Sequence, residues 1–312
     1  MRILFLSDIH GSSTVFEKSI NFVKNNDIDV LIISGDLSGK NIHPIIVENG
    51  NYTYEIDGCK QTVSESDIVL YETKLAERGH YFFRISKEDF SNLREKEIFE
   101  LLDLKILERL DNWLITLSQL VESECITVIV TPGNDDIIKV DNLIKKYESK
   151  GIFSGLSKPV KVGMNEIISL DYTNITPWKT YRELPEKELE KLIKSKVKLV
   201  DNIRFSIFNF HCPPYDTKLD IAPSIDSNFR YVINPGGIEN KHVGSTAVKM
   251  AIEQYQPLLT LHGHIHESEG FHYIGKTLSV NPGSAFEIGL LKAFIVDIDD
   301  DGFIKDYNFI SE

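Results

Sequence analysis

The sequence has few cysteines, and their arrangement argues against a disulfide framework. The three cysteines, Cys59, Cys125 and Cys212, are odd in number and widely spaced, and none belongs to a Cys-x-x-Cys pair. A domain stapled by disulfides would need paired cysteines, so the pattern favours a reducing compartment. We therefore expect a cytoplasmic protein with free thiols.

Long apolar runs are also missing. No stretch of about 18 or more apolar residues, the length that a membrane-spanning helix needs, occurs in the chain. The first apolar run, Ile3–Leu6, is short and is followed at once by Asp8 and His10, which is not the pattern of a signal peptide. We expect no membrane partner.

Positive charge is in short supply. The chain has 34 lysines and arginines against 47 aspartates and glutamates, for a formal net charge of −13. General binding to nucleic acid or anionic lipid depends on clustered basic residues, so this balance disfavours nucleic acid as a partner, although it does not exclude it. A small anionic substrate remains compatible, because bound cations reverse the local sign of the field.

What the sequence does contain is a repeated arrangement of polar residues where apolar runs stop. The run Ile3–Leu6 predicts a buried strand of a parallel sheet, and Asp8 and His10 follow where that strand must end. The carboxyl ends of such strands are where open α/β sheets bind ligands. Four further strand-like runs stop in front of similar residues: Asp36, Asn134, His211, and the pair His264 and His266.

The length of the chain suits one large domain with an elaboration, and we predict a single domain over residues 1–312. The alternation of strands and helices breaks after Gly39. A β-hairpin is predicted near residues 44–70, which contain turn-favouring residues such as Asp57. A long helix is predicted from an apolar stripe at Leu110, Trp113, Leu114 and Leu117. We interpret residues 41–110 as an insertion, a hairpin plus a helical cap, that overhangs the strand ends and selects substrate.

The strand ends carry donors that bind metals. Solvation alone would not place imidazole, carboxylate and amide groups after five strands whose ends converge. Seven ligands exceed the set for one tetrahedral ion, whereas a carboxylate shared between two ions would divide them into two half-sites. Two cations about 3.5–4 Å apart can clamp a phosphoryl group and lower the pKa of a bridging water. Such mixed donors suit Mn, Fe, Co, Ni or Zn alike.

The same residues form an ordered series of short blocks. The series is Asp8-Ile9-His10, Gly35-Asp36, Gly133-Asn134-Asp135-Asp136, His211 and Gly263-His264-Ile265-His266. It resembles the signature of the calcineurin-like metallophosphoesterases, which is Asp-x-His, Gly-Asp, Gly-Asn-His-Asp/Glu, His and Gly-His-x-His. The match spans residues 8–266, and although each block alone is common, the five in this order are a specific signal.

The resemblance implies a fold, a metal centre and a reaction. The fold is an α/β (α+β) four-layer αββα sandwich of two mixed β-sheets flanked by helices, with the metal site at the strand-end loops. The first of two divalent metal ions would be held by Asp8, His10 and His266. The second would be held by Asn134, His211 and His264, with Asp36 bridging both. A hydroxide bridging the ions would attack a small phosphoester substrate, either a phosphomonoester or a phosphodiester.

One block departs from the family pattern, because Asp135 stands where many relatives have a histidine that contacts the phosphate and protonates the leaving oxygen. An ionised Asp135 would repel a phosphate, so it must be protonated, turned to a metal, or holding a water. We predict catalytic roles for both acids of this block. Asp135 would line the phosphate pocket, and Asp136 would orient a group beside the ligands.

Three alternatives to this function have different sequence signatures. A nuclease or cyclic-nucleotide-type phosphodiesterase would share the fold, although the acidic balance weighs against a nuclease. A non-catalytic metal-binding scaffold would be expected to lose ligands, whereas all seven are present here. A mononuclear zinc hydrolase acting on amides would need a His-Glu-x-x-His block, which the sequence lacks.

The remaining chemically interesting residues have simpler interpretations. His262 precedes the last block, and we predict a structural, hydrogen-bonded role for it. Cys212 follows a ligand and is predicted to be a buried structural thiol. The loop residues Tyr215, Asp216 and Lys218 are candidates for reaching the pocket. Surface or loop positions are predicted for the histidines that match no block, which are His43, His80, His242 and His272.

Overall fold

The fold was analysed in a computed structural model, which describes residues 1–56 and 58–312. Asp57, within the predicted hairpin, lies outside the described residues. The helices are α1 (Ser13–Asn25), α2 (Glu65–Glu77), α3 (Lys87–Asn92), α4 (Glu95–Glu124), α5 (Lys139–Lys146), α6 (Glu186–Val197) and α7 (Thr246–Tyr255). Short 3-10 turns occupy Glu148–Lys150, Ile203–Phe205 and Phe286–Ile288.

The strands fall into two large sheets and several small ones. In chain order they are β1 (Arg2–Ser7), β2 (Val30–Ser34), β3 (Ile42–Glu48), β4 (Asn51–Ile56), β5 (Cys59–Val63), β6 (Tyr81–Ser86), β7 (Thr127–Thr131), β8 (Ile152–Phe153), β9 (Val160–Val162), β10 (Asn165–Leu170), β11 (Thr173–Asn174), β12 (Glu183–Leu184), β13 (Ser206–Phe210), β14 (Ile221–Pro223), β15 (Ile233–Asn234), β16 (Gly237–Ile238), β17 (Asn240–His242), β18 (Leu259–Leu261), β19 (Gly270–Ile274), β20 (Thr277–Asn281), β21 (Lys292–Ile298) and β22 (Ile304–Ser311).

The first large sheet has the order β22-β21-β1-β2-β7-β8. Strands β1, β2, β7 and β8 run parallel, whereas β21 pairs antiparallel with β1 and β22 with β21. Side chains of β1 alternate between two cores, because successive residues of a strand point to opposite faces. Leu4 and Leu6 pack in the core that contains α1, α4 and α5, while Ile3 and Phe5 pack in the core shared with the second sheet.

The second large sheet has the order β19-β20-β18-β13-β10-β9, with β10, β13, β18 and β20 parallel and an antiparallel strand at each edge. Its outer face is covered by α6 and α7, whose Leu189, Ile193 and Ile252 pack against Phe208 and Phe210 of β13. The layers are therefore helices, sheet, sheet and helices. The four-layer sandwich of two mixed sheets that the sequence predicted is confirmed.

Within residues 41–110, strands β3 to β6 form a third sheet in the order β5-β4-β3-β6. Ile45, Ile68, Tyr71 and Leu75 join it to α2 in a small apolar cluster. The sequence predicted a hairpin here, whereas the structure adds β5 beside β4, and β6 pairs parallel with β3. Strand β6 was not predicted because its pairing depends on the intervening crossover through α2. The assignment of residues 41–110 as an insertion into a single domain stays a prediction.

The long helix predicted from the apolar stripe is α4, and all four stripe residues are buried in the first core: Leu110, Trp113, Leu114 and Leu117. At the start of helix α4, the Glu97 carboxylate accepts a hydrogen bond from the Arg94 backbone N–H at 2.9 Å. Among the described residues, no helix combines the length and the apolar character that crossing a bilayer requires. Cys59 and Cys125 are exposed free thiols, and Cys212 is a buried one.

Candidate metal centre

The loops that follow β1, β2, β7, β13 and β18 converge, and they bring the predicted ligands together. Two groups of three residues each place one ligand atom per residue within 4.8 Å of the ligand atoms of the other two residues. The first group consists of Asp8, His10 and His266. The second group consists of Asp36, His211 and His264. Asn134 lines the same cavity as most of these side chains. All seven predicted metal ligands therefore lie in one cluster.

Asp36, a member of the second group, also faces the first group. Its Oδ2 is 3.8 Å from His10 Nε2, and its Oδ1 is 3.4 Å from His211 Nε2. On the first side, Asp8 Oδ1 is 3.5 Å from His266 Nε2. The two oxygens of one buried carboxylate thus face imidazoles of different groups, which is the arrangement that a bridging ligand needs.

Four of the proposed ligands have strained backbone conformations. The φ angles are positive at Asp8 (56°), His10 (40°), Asp36 (44°) and His264 (67°), a region that costs a residue with a side chain roughly 1–2 kcal/mol. Hydrogen bonds between the loops hold these conformations. The Asp8 N–H donates to Gly35 O at 3.1 Å and the His10 N–H donates to Asp36 O at 2.9 Å. The strain aims side chains from several loops at one point.

Close backbone approach explains the glycine in two of the blocks. A Cβ on Gly35, whose φ is 80°, would lie 1.9 Å from Nδ1 of His211. A Cβ on Gly133 would lie 2.2 Å from the backbone nitrogen of Asp36. Only glycine lets these loops pass so close to the ligand side chains.

Several polar atoms of the cluster lack a partner within the described protein, and this tests whether metal ions fit. Both ring nitrogens of His211 and the Oδ1 of Asn134 are buried without a hydrogen bond. His10 Nε2 and His266 Nε2 face each other at 3.1 Å. Unpaired buried polar atoms cost about 1–3 kcal/mol each, and a cation would satisfy lone pairs of this kind. The donors therefore fit divalent metal ions.

The charges of the cluster support the same conclusion. Burial raises the pKa of Asp8, but His211 and His266 outweigh it and hold that pKa at about 2. Burial also opposes ionisation of Asp36, yet His211 lowers its pKa well below the usual value. Burial would lower the pKa of His211, whereas the charges of Asp36 and Asp8 raise it to about 9. Both carboxylates are therefore held in the ionised form that binds cations.

Asp136 is buried beside the cluster, and its predicted role stays a prediction. Its carboxylate accepts hydrogen bonds from the backbone N–H groups of Leu37, Ser38 and Gly133, each at 2.9 Å, and from the Ser38 hydroxyl. Burial, together with the charge of Asp36, raises the pKa of Asp136. Asp136 thus ties the loop after β2 to the loop after β7, but it does not line the cavity.

Asp135 does line the cavity, and its environment contains a residue that sequence reasoning missed. Its carboxylate forms an ion pair with the ammonium group of Lys40, and one of its oxygens also lies within 4.8 Å of ligand atoms of His10 and Asp36. Burial and the charge of Asp36 raise the pKa of Asp135 to about 7, although Lys40 opposes the shift. None of the sequence-based alternatives for Asp135 included a lysine. The catalytic role of Asp135 stays a prediction.

The segment around β11 and β12 holds the side chain and the loop of Asn134 in place. No sequence motif predicted this role for the segment. The Asn134 side-chain N–H donates to the Thr180 hydroxyl at 2.7 Å, which leaves Oδ1 as its unpaired atom. Arg182, 1% exposed, donates to the carbonyl oxygens of Gly133 and Asp136 and forms an ion pair with Asp171 at 3.0 Å. A buried arginine held by carbonyls and carboxylates fixes the loop that carries the ligand.

The other histidines and loop candidates divide as follows. His262 is buried and contacts Phe210 O at 2.8 Å and the Thr260 hydroxyl at 2.8 Å, in keeping with a structural role. His80, predicted to lie in a surface or loop position, lines the cavity and stacks on His43 with ring centroids 4.9 Å apart.

The residues proposed to reach the pocket after the proline pair do not line it: Tyr215, Asp216 and Lys218. That prediction was wrong because the chain turns away and returns to the cavity only at Ala222.

The cavity above the cluster has a volume of about 480 Å³, within the range of small-molecule sites. Its lining includes Lys40, Arg78 and His80. It also includes Trp178, Pro223, Ile225 and Tyr231. The space is therefore larger than a phosphate alone would need, and it is bordered by residues of different chemistry.

A four-layer sandwich with buried histidines and aspartates gathered at its loop ends defines the class of metallophosphoesterases. The chain belongs to the calcineurin-like phosphoesterase family, whose family model matches residues 1–268. The resemblance seen in the sequence blocks is confirmed. The protein is accordingly a metal-dependent hydrolase of phosphoester bonds.

Comparison with individual proteins gives more distant matches. The uncharacterized protein MJ1162 of Methanocaldococcus jannaschii is 29% identical over 186 residues, which cover 58% of this chain and 76% of that protein. The crystal structure of TT1561 of Thermus thermophilus superposes with a TM-score of 0.53 at 13% identity, covering 99% of this chain and 98% of that one. Another crystal structure gives a TM-score of 0.59 at 16% identity with the same coverage. At these identities the two structures support the fold alone.

Proposed function

We propose that the protein hydrolyses a small phosphomonoester or phosphodiester at a centre of two divalent cations. The observation that carries this proposal is the position of Asp36, whose Oδ2 and Oδ1 lie 3.8 Å from His10 and 3.4 Å from His211. A single-ion site would leave one of these imidazoles without a role. We assign Asp36 as the shared ligand.

The other ligands divide on either side of Asp36. Asp8, His10 and His266 would hold one ion, and Asn134, His211 and His264 the other. The chemistry supplied by two such ions is charge neutralisation at the phosphoryl oxygens and activation of a water molecule. Mn, Fe, Co, Ni and Zn are all compatible with these donors.

The chain itself contributes charge balance and a proton donor. Asp135 borders the ligand cluster, and the ammonium group of Lys40 offsets its charge, so that a phosphate can approach. Because its pKa is raised to about 7, part of the Asp135 population is protonated near neutral pH, and that form can give its proton to the leaving oxygen. Asp136 acts indirectly, because it holds the loops that carry Lys40 and Asn134.

Metal counting combined with hydrolysis tests the proposal. The protein is stripped with a chelator, reloaded with each metal in turn, and its metal content is measured by mass spectrometry while aryl mono- and diphosphoesters are assayed. We expect two ions per chain in the wild type and one in both Asp8→Ala and Asn134→Ala, with hydrolysis lost in each variant. Asp300→Ala, which removes an exposed acid outside the cluster, is the control and should keep two ions. Saturation at one ion, or full hydrolysis by the stripped protein, would overturn the proposal.

A further inference from the structure

Two large aromatic side chains border the cavity from separate parts of the chain. Trp178 and Tyr231 are 60% and 58% exposed, and both line the cavity that contains the ligand cluster. Leaving such surfaces in water forgoes the free energy that burial would provide. A shared position at one cavity is therefore best explained by a ligand that covers them.

Trp178 is held in a fixed relation to the ligand Asn134. The backbone N–H of Trp178 donates a hydrogen bond to the Thr176 hydroxyl at 3.2 Å. The carboxylate of Glu183 accepts hydrogen bonds from the backbone N–H groups of Thr176 at 2.9 Å and Thr180 at 2.8 Å. The Thr180 hydroxyl accepts a hydrogen bond from the side-chain N–H of Asn134. The turn that presents Trp178 is thus tied directly to the proposed metal centre.

Tyr231 is presented by a tight loop between β14 and β17. The carboxylate of Asp226 accepts the N–H groups of Asn228 at 2.8 Å and Arg230 at 3.0 Å, and Ile225 forms a β-bridge with Tyr231. Phe229 at the tip of this loop lies 6.4 Å from Trp178 between ring centroids. The two aromatic segments therefore meet at Phe229, which does not itself line the cavity, and we call the two residues that do line it, Trp178 and Tyr231, the aromatic wall.

We propose that the aromatic wall binds a planar aromatic ring of the substrate, and that the substrates are nucleoside-type phosphoesters. This rests on the proposed function and names its substrate class. A nucleobase presents a flat face that stacks on tryptophan and tyrosine, while its phosphate reaches the ligand cluster and Lys40. The cavity of about 480 Å³ accommodates a ring and a sugar in addition to the phosphate.

Binding can be measured without hydrolysis, because the chain has only two tryptophans. Trp113 is buried and stacked on Phe16, so Trp178 alone is exposed to ligands. Metal-loaded protein is titrated with adenosine, with uridine and with ribose, none of which carries a phosphoester. We expect saturable quenching of Trp178 fluorescence by the two nucleosides and none by ribose. Calorimetry should give a dissociation constant for adenosine about tenfold higher in Tyr231→Ala and in Trp178→Ala.

Tyr181→Ala is the matched control, since Tyr181 is 60% exposed in the same loop as Trp178 but does not line the cavity. It should bind adenosine as the wild type does. Equal affinity for adenosine and ribose, or equal weakening by all three alanine variants, would overturn the proposal.

A kinetic comparison separates this inference from the proposed function. Adenosine 5′-monophosphate and ribose 5-phosphate release the same type of primary alcohol and differ only in the base. The ratio of their kcat/KM values should favour the nucleotide in the wild type and fall about tenfold in Trp178→Ala. Hydrolysis of both esters with a ratio near one would remove the aromatic wall from substrate choice and leave the phosphoesterase assignment intact. Nucleoside binding without hydrolysis of any ester would support the aromatic wall as a binding site and would contradict the proposed hydrolysis.

Discussion

The pair Lys40 and Asp135 occupies the place where many relatives have a histidine. A histidine can contact a phosphate and also release a proton, whereas a carboxylate alone would repel the substrate. On the proposed mechanism these tasks would be divided between two side chains, with Lys40 supplying the positive charge and the protonated form of Asp135 the exchangeable proton. At the residue scale, this is the main difference between the chain and its family pattern.

Asp135→Asn tests the role of the proton. An amide cannot give up a proton to a leaving alkoxide, so substrates with poor leaving groups should slow by about 100-fold or more, in the range of general acid catalysis. Aryl phosphates, whose leaving groups need little protonation, should change much less. Rates are measured for a series of esters with graded leaving groups, and equal slowing across the series would remove Asp135 from the acid role.

Lys40→Ala tests the balance of charge. At alkaline pH, where Asp135 is ionised even without Lys40, the unpaired carboxylate beside Asp36 should repel the phosphate and raise KM for anionic esters by about tenfold or more. The double variant Lys40→Ala with Asp135→Asn should recover much of this loss, and Lys40→Arg should retain binding. Steady-state kinetics of the four proteins form a double-mutant cycle. Additive effects of the two single substitutions would contradict a direct coupling between Lys40 and Asp135.

Thr180 should act through Asn134. Thr180→Val removes the acceptor for the Asn134 side-chain N–H, so the amide is free to rotate its Oδ1 away from the cluster. Losing a supporting partner of this kind costs about 10- to 100-fold in metal affinity. Calorimetry with Mn²⁺ should show one of two binding events weakened, while Thr180→Ser, which keeps the hydroxyl, should resemble the wild type. An unchanged titration for Thr180→Val would show that Thr180 does not position the ligand.

The sequence predicted the seven ligands together because each follows a strand, and parallel strands of one sheet end at a common edge. The strands before the ligands belong to both large sheets, β1, β2 and β7 to the first and β13 and β18 to the second, so the packing of the two sheets is also needed to bring all seven together. It could not predict Lys40, Thr180 or Arg182. These residues stand in irregular loops whose paths depend on packing between distant segments, so no local period or spacing marks them. His80 was missed for the same reason, since it reaches the cavity through the close approach of its neighbour Gly79 to the loop after β1.

At the scale of elements, the third sheet (β3 to β6) meets the strand-end loops through glycines. A Cβ on Gly79, whose φ is 80°, would lie 1.9 Å from the carbonyl oxygen of the proposed ligand His10. Arg109 of α4 links the same two segments, because its guanidinium donates to Gly11 O and His80 O, each at 2.7 Å. The third sheet is thus joined to the backbone of the loops that carry the proposed ligands, whereas the sequence suggested only that residues 41–110 overhang the strand ends.

Gly79→Ala should therefore separate docking from local strain. The matched control is Gly50→Ala, since Gly50 also has a positive φ, 76°, but nothing lies within 4 Å of its added Cβ. The control should lose about 1–2 kcal/mol of unfolding free energy from backbone strain alone. Gly79→Ala should lose roughly 1–3 kcal/mol more through the clash, and it should also weaken metal binding by shifting His10. Denaturant unfolding and metal titration measure the two effects, and equal losses in both variants would mean that this contact does not support the site.

For the whole molecule, the strand pattern alone left the sheet arrangement open. Strands buried on both faces have the same apolar runs whether they are covered by helices or by a second sheet. Ile3 and Phe5 meet the second sheet while Leu4 and Leu6 meet helices, yet all four are equally apolar. The family resemblance, carried by the polar blocks, supplied the two-sheet arrangement that hydrophobic periodicity could not.

The proposed metal ligands come from loops of both large sheets, so metal binding there should stabilise the whole fold. Without cations, Asp8, Asp36 and the facing imidazoles leave buried charge and unpaired nitrogen atoms between the sheets. An ion that binds only the folded state at 100 times its dissociation constant adds about 2.7 kcal/mol. Thermal unfolding should therefore shift upward by several degrees when Mn²⁺ or Zn²⁺ is added, and chelation should reverse the shift. The shift should shrink in Asp8→Ala and persist in Asp300→Ala, whereas a wild-type Tm that no divalent metal changes would place the metal ligands elsewhere.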